Sequence, residues 1–471
     1  MTATSADSTP LSSGPLTSTQ RLVLWVAVLG SFVAFLDGTI VNVALPSISE
    51  ELGGGLRTQQ WVVDAYLITL GALILVAGSI SDVFGRVLVL RIGLLGFGVA
   101  SIGIALAPTA EFLIVARAVQ GAAGAFLVPS SLALITSNFS GTDRGRAIGI
   151  WTAMTTAAMI VGPVIGGVFV DLLSWRWAFV VNVVPIAATL ALLARGRLRD
   201  SRQRGSGIDW IGATLCTLGL GALVFALIEQ PALGWNAPAI WIPLTGGAIL
   251  FIAFIVRQAH TPQPILPLDM FRKRNFTAGN LTTAFVYAGI SLNGFVVVVH
   301  LQQNAGFPAT LAGLASLPMT LLLVFLSSRI GVLSGRWGPR IFMTVGPAFM
   351  GFGALLLLTV GSEFSYWWQM LPSMILTGLG LALTVTPLTS AVLGAARPDR
   401  SGIASAVNNA VSRVAGLIVV ALLALVVGGT LDLDGFHRAA IVTAALMFAG
   451  AVTSYLGIRS VPRKRSGWME L

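Results

Sequence analysis

The sequence predicts an all-α polytopic membrane protein with fourteen transmembrane helices. Three observations carry that prediction. Of the 471 residues, 55% are hydrophobic and only 10% charged, and the mean hydropathy is +0.88. A soluble domain carries about a quarter of its residues as charges, so this chain lacks the polar surface a water-soluble fold of its size needs. Fourteen apolar runs are long enough for a hydrocarbon core about 30 Å thick, which takes roughly 20 residues of helix. Finally, with fourteen spans, 22 of the 28 Lys and Arg fall on the side shared by both termini. Only Arg57, Arg176 and Arg438 fall on the other side, and Arg117, Arg329 and Arg413 lie within spans. One helix more or fewer would scramble this asymmetry, and the positive-inside rule places both termini in the cytoplasm.

Residues 1–20, rich in Ser and Thr without periodicity, read as a disordered cytoplasmic tail. The first apolar run, 21–46, is too long for a signal peptide and no small-residue cleavage site follows it, so it reads as the first span. Five more follow at 59–79, 87–107, 110–136, 145–170 and 176–195. The next two, 209–229 and 239–257, have no charge in their middles and read as peripheral. The last six are 276–300, 308–333, 340–361, 366–395, 401–428 and 437–459, with only Gly361 to Ser365 dividing the eleventh from the twelfth. Trp61, Trp175, Trp177, Trp210, Trp235, Trp241, Trp367 and Trp368 stand near span ends, as interfacial anchors do.

An internal repeat organises these spans. Gly78 to Arg86 (GSISDVFGR) follows the second span, and Gly331 to Arg340 (GVLSGRWGPR) follows the tenth; Gly78, Ser81 and Gly85 align with Gly331, Ser334 and Gly338. Asp143 to Gly149 (DRGRAIG) precedes the fifth span as Asp399 to Ser405 (DRSGIAS) precedes the thirteenth. Both matches relate a helix to the one eight later. The expected organisation is a six-helix bundle (21–200), a two-helix insert (201–260), a second six-helix bundle (261–459) and a cytoplasmic tail (460–471). Transporters built from two related halves bind substrate between them.

Composition and motifs also exclude function classes. A soluble enzyme, a disulfide scaffold and a disordered regulator are ruled out by composition. The lone Cys216 reads as a small packing residue. His260, His300 and His437 have no ligand spacing, so neither a metal site nor a membrane-embedded lipid enzyme is indicated. No Walker A sequence provides for ATP-driven transport, and no pore signature or charge ring suggests a channel. The net charge of +10 follows topology and is not a nucleic-acid footprint. No cofactor is expected, and a monomer is expected.

Four segments carry a resemblance. Leu36 to Pro46 (LDGTIVNVALP) surrounds Asp37 in the first span. Gly78 to Arg86 forms the turn after the second, Ala116 to Ala125 (ARAVQGAAGA) contains Arg117 in the fourth, and Gly162 to Gly167 (GPVIGG) lies in the fifth. Together they resemble the major facilitator superfamily and, within it, the fourteen-helix drug:proton antiporter family, over essentially the whole chain from the first span. Val87 departs from the pattern, since a second basic residue is common there. The resemblance implies the major-facilitator fold in the bacterial plasma membrane. It further implies export of amphiphilic small molecules, such as drugs, antibiotics or secondary metabolites, in exchange for protons by alternating access. Transport of a lipid or a self-made metabolite is the alternative.

The residues support roles of this kind in physical terms. Asp37 lies about 13 Å from the outer end of its helix and Arg117 about 10 Å from the same face, taking 1.5 Å per residue. A charge within the bilayer is costly unless it is paired or lines water, so Asp37 reads as a proton-carrying carboxylate tuned by Arg117, the alternative being a fixed ion pair. Asp64, about five residues from the outer end of the second span, reads either as a wet interfacial carboxylate or as a second acid for proton coupling or substrate contact. Arg413, beside Ser405, Asn408, Asn409 and Ser412 on one face, is a candidate state-dependent partner of Asp64; that pairing draws on the family's contact between the second and thirteenth helices. Asn280, Thr283, Tyr287 and Ser291 form a stripe with Gly294 on the ninth span, and with Asn408 and Asn409 they are expected to line the substrate cavity. Gly78, Asp82, Gly85 and Arg86 read as a conformational latch. Gly162, Pro163, Gly166 and Gly167 read as a helix interface that seals or slides between states. With Asp37 engaged in coupling and Arg117 and Arg413 offsetting the negative field, monocationic, zwitterionic or neutral amphiphiles are expected to be preferred over rigid dications.

Overall fold

The structure is a computed structural model that describes residues 16–459, apart from 197, 199–206, 263, 398 and 399. Among the described residues there are fourteen helices long and apolar enough to cross a membrane, and no strand. They are α1 (Ser18–Leu52), α2 (Gly55–Ser81), α3 (Arg86–Ala105), α4 (Ala110–Asn138), α5 (Asp143–Leu172), α6 (Trp177–Arg195), α7 (Trp210–Leu233), α8 (Pro238–His260), α9 (Arg274–Gln303), α10 (Ala309–Trp337), α11 (Pro339–Thr359), α12 (Tyr366–Ala395), α13 (Gly402–Ala421) and α14 (Leu433–Gly457). All fourteen expected spans are present. The tail expected over 460–471 and most of the linker before α7 lie outside the described residues.

Several boundaries differ from the sequence expectation for identifiable reasons. The expected disordered segment 1–20 gives way to helix at Ser18, because Thr17 and Gln20 form a capping box that satisfies the first free N–H groups. Pro46 does not stop α1, which runs on to Leu52 and ends at the triplet Gly53, Gly54 and Gly55, all with positive φ. The thirteenth span closes at Ala421 rather than 428, and a separate helical turn, Leu423–Val427, then ends at Gly428 with φ +82°.

Helices α1–α6 pack together, as do α9–α14, and α7 and α8 form a tight antiparallel pair lying against α2 and α13. We call the side where α1 begins and α14 ends the terminal face, and the opposite side the far face. Towards the far face the two halves share one apolar core. Leu45 and Ile48 of α1, Phe295 and Val299 of α9, and Val420 at the end of α13 are all buried in it. Besides the contact of α1 with α9, two seams join the halves. Contact between α2 and α13 is extensive, whereas α5 meets the second half chiefly at the start of α10, Ala309–Ala315. Towards the terminal face α5 and α10 are bare: Thr152, Ala153, Phe325, Ser328, Arg329 and Val332 are exposed.

Candidate functional site

Asp37 and Arg117, judged to be at similar depth from sequence, meet. The Arg117 guanidinium donates through Nη1 to Asp37 Oδ2 at 2.7 Å, and both side chains are almost completely buried. Asp37 Oδ1 accepts two further bonds, from Gln120 Nε2 at 3.0 Å and from Asn182 Nδ2 at 2.9 Å. Arg117 also donates to the Val62 carbonyl through Nε and to Gln120 Oε1, and its guanidinium stacks 4.3 Å from the centroid of the Tyr66 ring. Gln120 in turn donates to Ser101. Five helices of the first half, α1, α2, α3, α4 and α6, are therefore tied through one ion pair whose acceptors and donors are satisfied.

Asp64 is in the opposite condition. It is fully buried on α2, and neither carboxyl oxygen has a hydrogen-bond partner. Arg413 likewise has a buried Nε without a partner. The expected pair is not formed in this conformation. Gly71 of α2 faces Arg413, with a Cβ placed there lying 3.6 Å from the arginine Cβ, and Asp64 stands seven residues away. At 1.5 Å per residue that is about 10 Å along α2. The seam thus holds a lone acid and a lone base on facing helices, two turns apart.

The expected cavity residues mostly join helices instead. Asn408 Nδ2 donates to Asn280 Oδ1 at 3.2 Å and to Thr283 Oγ1 at 2.7 Å, binding α13 to α9. Asn280 uses its own amide on the Phe276 carbonyl, and Ser291 sits where a Cβ on Gly416 would come within 2.6 Å of its hydroxyl. Tyr287 packs among apolar residues of the second half. Of the six, only Asn409 is exposed. Gly294 and, on α1, Gly38 face open space.

The glycines of α5 lie at two close approaches. A Cβ on Gly162 would fall 2.2 Å from Thr39 Oγ1, and one on Gly166 2.5 Å from Ile40, so both admit α1. Gly167 meets the other half: a Cβ there would lie 2.5 Å from Thr310 Cα. Gly313 reciprocates, with its Cβ position 2.4 Å from the Pro163 carbonyl oxygen. Asp171, which sequence reasoning missed, completes this seal. Its two carboxylate oxygens accept from the backbone N–H groups of Ala309 and Thr310, each at 2.8 Å, capping α10 from the opposite half. Gln302 donates to the Val43 carbonyl and Gln60 to those of Val420 and Ala421. These hydrogen bonds between the halves all lie at the far face.

In the turn after α2, Gly85 takes φ +109° and its N–H returns to the Ser81 carbonyl, ending the helix as expected. Arg86 reaches the Ala133 carbonyl of α4. A Cβ on Gly78 would meet nothing within 4 Å, so no close approach explains that glycine. The Asp82 side chain lies outside the described residues. At the insert, Glu229 Oε1 accepts from Arg57 Nε and Trp61 Nε1, both at 2.8 Å. At its other end Asp209 accepts from Gly212 N, Arg257 Nε and Gln258 Nε2. Burial acts to raise the Asp209 carboxyl, but these bonds and the Arg257 charge outweigh it and hold the group below the usual carboxylate range. Cys216 is buried among apolar residues as expected.

The sequence profile described as Major Facilitator Superfamily matches residues 27–420. The chain is similar to a methylenomycin A resistance protein of Bacillus subtilis, 32% identical over 411 residues that cover 87% of this chain and 88% of that one. It is also 32% identical to the multidrug resistance protein Stp of Mycobacterium tuberculosis (88% and 77% covered) and 34% identical to the puromycin resistance protein pur8 of Streptomyces alboniger (85% and 80%). Among solved structures, an auto-inhibited peptide transporter of the POT family superposes with a TM-score of 0.70 at 18% identity, covering 96% of this chain and 99% of that one. A D-xylose-proton symporter does so at 0.69 and 14%, covering 94% and 99%.

Proposed function

Because the chain belongs to the major facilitator superfamily, and is therefore a multi-pass membrane transporter and not an enzyme, we propose that it exports amphiphilic small molecules across the bacterial plasma membrane in exchange for protons. The relatives named for resistance to methylenomycin A, puromycin and multiple drugs support that cargo class. The basic terminal face is read as cytoplasmic, which makes this conformation open to the cytoplasm and sealed outside.

The observation that carries the proton half of the reading is Asp64. Burying an ionised carboxylate without a partner is far more costly than burying the neutral acid. A carboxyl so placed gains or loses its proton with the state of the protein, whereas Asp37 is committed to Arg117. In the cytoplasm-open state Asp64 gives up its proton and the substrate is taken in; a basic group on the substrate, or Arg413, meets the new charge. The halves then rock, the seal at Gly167 and Asp171 parts, and the substrate leaves. A proton from outside neutralises Asp64, and the neutral seam lets the chain return.

The test is transport in proteoliposomes. An imposed pH gradient should drive accumulation of a lipophilic dye by the native protein and not by Asp64→Asn, while dye-for-dye exchange persists in the variant. Gradient-driven accumulation by Asp64→Asn at the native rate would remove Asp64 from coupling. Failure of the native protein to move any amphiphile would overturn the export reading.

A further inference from the structure

The α7–α8 insert lies where it can do more than occupy the periphery. Successive residues of a helix turn by about 100°. Trp61, Ile68 and Ala72 therefore share one line on α2, and that line meets the insert: Trp61 bonds Glu229, and Ile68 and Ala72 pack in one buried cluster with Leu220 and Val224 of α7. Gln60 and Gly71 mark a second line, which meets α13. By the same rotation Asp64 lies between the two, about 60° from the first and within about 40° of the second. Its carboxyl is thus in the wedge where α2, α13 and α7 converge. The apolar cluster that closes this wedge takes Leu417 and Ala421 from α13, so it spans both halves and the insert.

We propose that the insert is a lipid-side cover for the proton site, fastened to α2 and keeping acyl chains from Asp64 and Arg413 while α13 moves across it. The inference rests on Asp64 being the titrating acid. Without a cover, each rocking of the halves would open a seam holding two unpaired ionisable groups towards hydrocarbon, where charge is costly. The fastening is asymmetric: Glu229 is bonded to Arg57 and Trp61 of α2, while the contacts to α13 are apolar and can slide. Asp209, Arg257 and Gln258 lock α7 to α8, so the pair moves as one body.

The test uses the full-length protein in liposomes and two carbodiimides, which add across a protonated carboxyl to give a stable N-acylurea with no other reactant. Dicyclohexylcarbodiimide arrives through lipid; a water-soluble carbodiimide arrives through water. Labelling of Asp64 is read by peptide mass in the native protein, in Glu229→Gln, which unfastens the cover, and in Leu220→Ala/Val224→Ala, which thins it. Each variant is first shown to be monodisperse. The expected result is a severalfold rise in labelling by the lipid-borne reagent in the variants, with labelling by the water-borne one unchanged. Equal lipid-borne labelling in all three proteins, or equal rises with both reagents, would overturn the cover while leaving Asp64 as a titrating acid. No labelling of Asp64 by either reagent, together with gradient-driven transport in Asp64→Asn, would overturn both readings.

Discussion

Asp37 and Asp64 are both fully buried carboxyls on adjacent helices, and their surroundings assign them different work. Three donors meet Asp37, whereas none meets Asp64. Removing one member of a buried, hydrogen-bonded ion pair leaves the other charge uncompensated and costs about 3–5 kcal/mol. Asp37→Asn or Arg117→Gln should therefore lower thermal stability in detergent markedly, where Asp64→Asn should not. The double variant Asp37→Asn/Arg117→Gln should lose less than the two single losses added together. Additive melting-temperature losses, or a native melting curve for Asp37→Asn, would show that the pair is not the buttress described. The meeting of Asp37 and Arg117 was legible in the sequence because depth follows from counting residues to the helix ends. The isolation of Asp64 was not, since the absence of a partner depends on which side chains the neighbouring helices bring to it.

Among the elements, α5 and α10 close on each other at the far face. The GPVIGG segment announced a close helix interface in sequence, because four small or proline residues within six leave no side chains to hold a neighbour away. Asp171 carried no such mark. It stands at the end of a span like any interfacial acid, and its partners are backbone groups 138 and 139 residues further along. Two charge-assisted bonds to the first turn of α10 favour the closed far face, so Asp171→Ala should shift the balance of states towards open by about 2 kcal/mol, roughly thirtyfold. A single cysteine at buried Ala312, in a Cys216→Ala background, should then react faster with a membrane-impermeant maleimide added outside. An unchanged rate would discount the cap as a latch. The stripe on α9 shows the limit of periodicity. A polar face in a membrane helix must avoid lipid, but spacing alone does not say whether it meets a cavity or, as for Asn280 with Asn408, a neighbouring helix.

For the whole molecule, the count of fourteen was legible because span length and the distribution of Arg constrain each other. What the sequence could not convey is that the two seams are unlike. One is closed and lined on its outer side by the insert; the other is pinned at the far face and bare below it. If the bare side between α5 and α10 admits cargo directly from the bilayer, the concentration that matters is the one dissolved in the membrane. Each added methylene favours the bilayer by about 0.8 kcal/mol, or roughly fourfold in partition. Across a homologous series of dyes, the aqueous concentration giving half-maximal transport should fall by that factor per methylene. An aqueous half-saturation that does not change along the series would mean the cargo arrives through the aqueous opening.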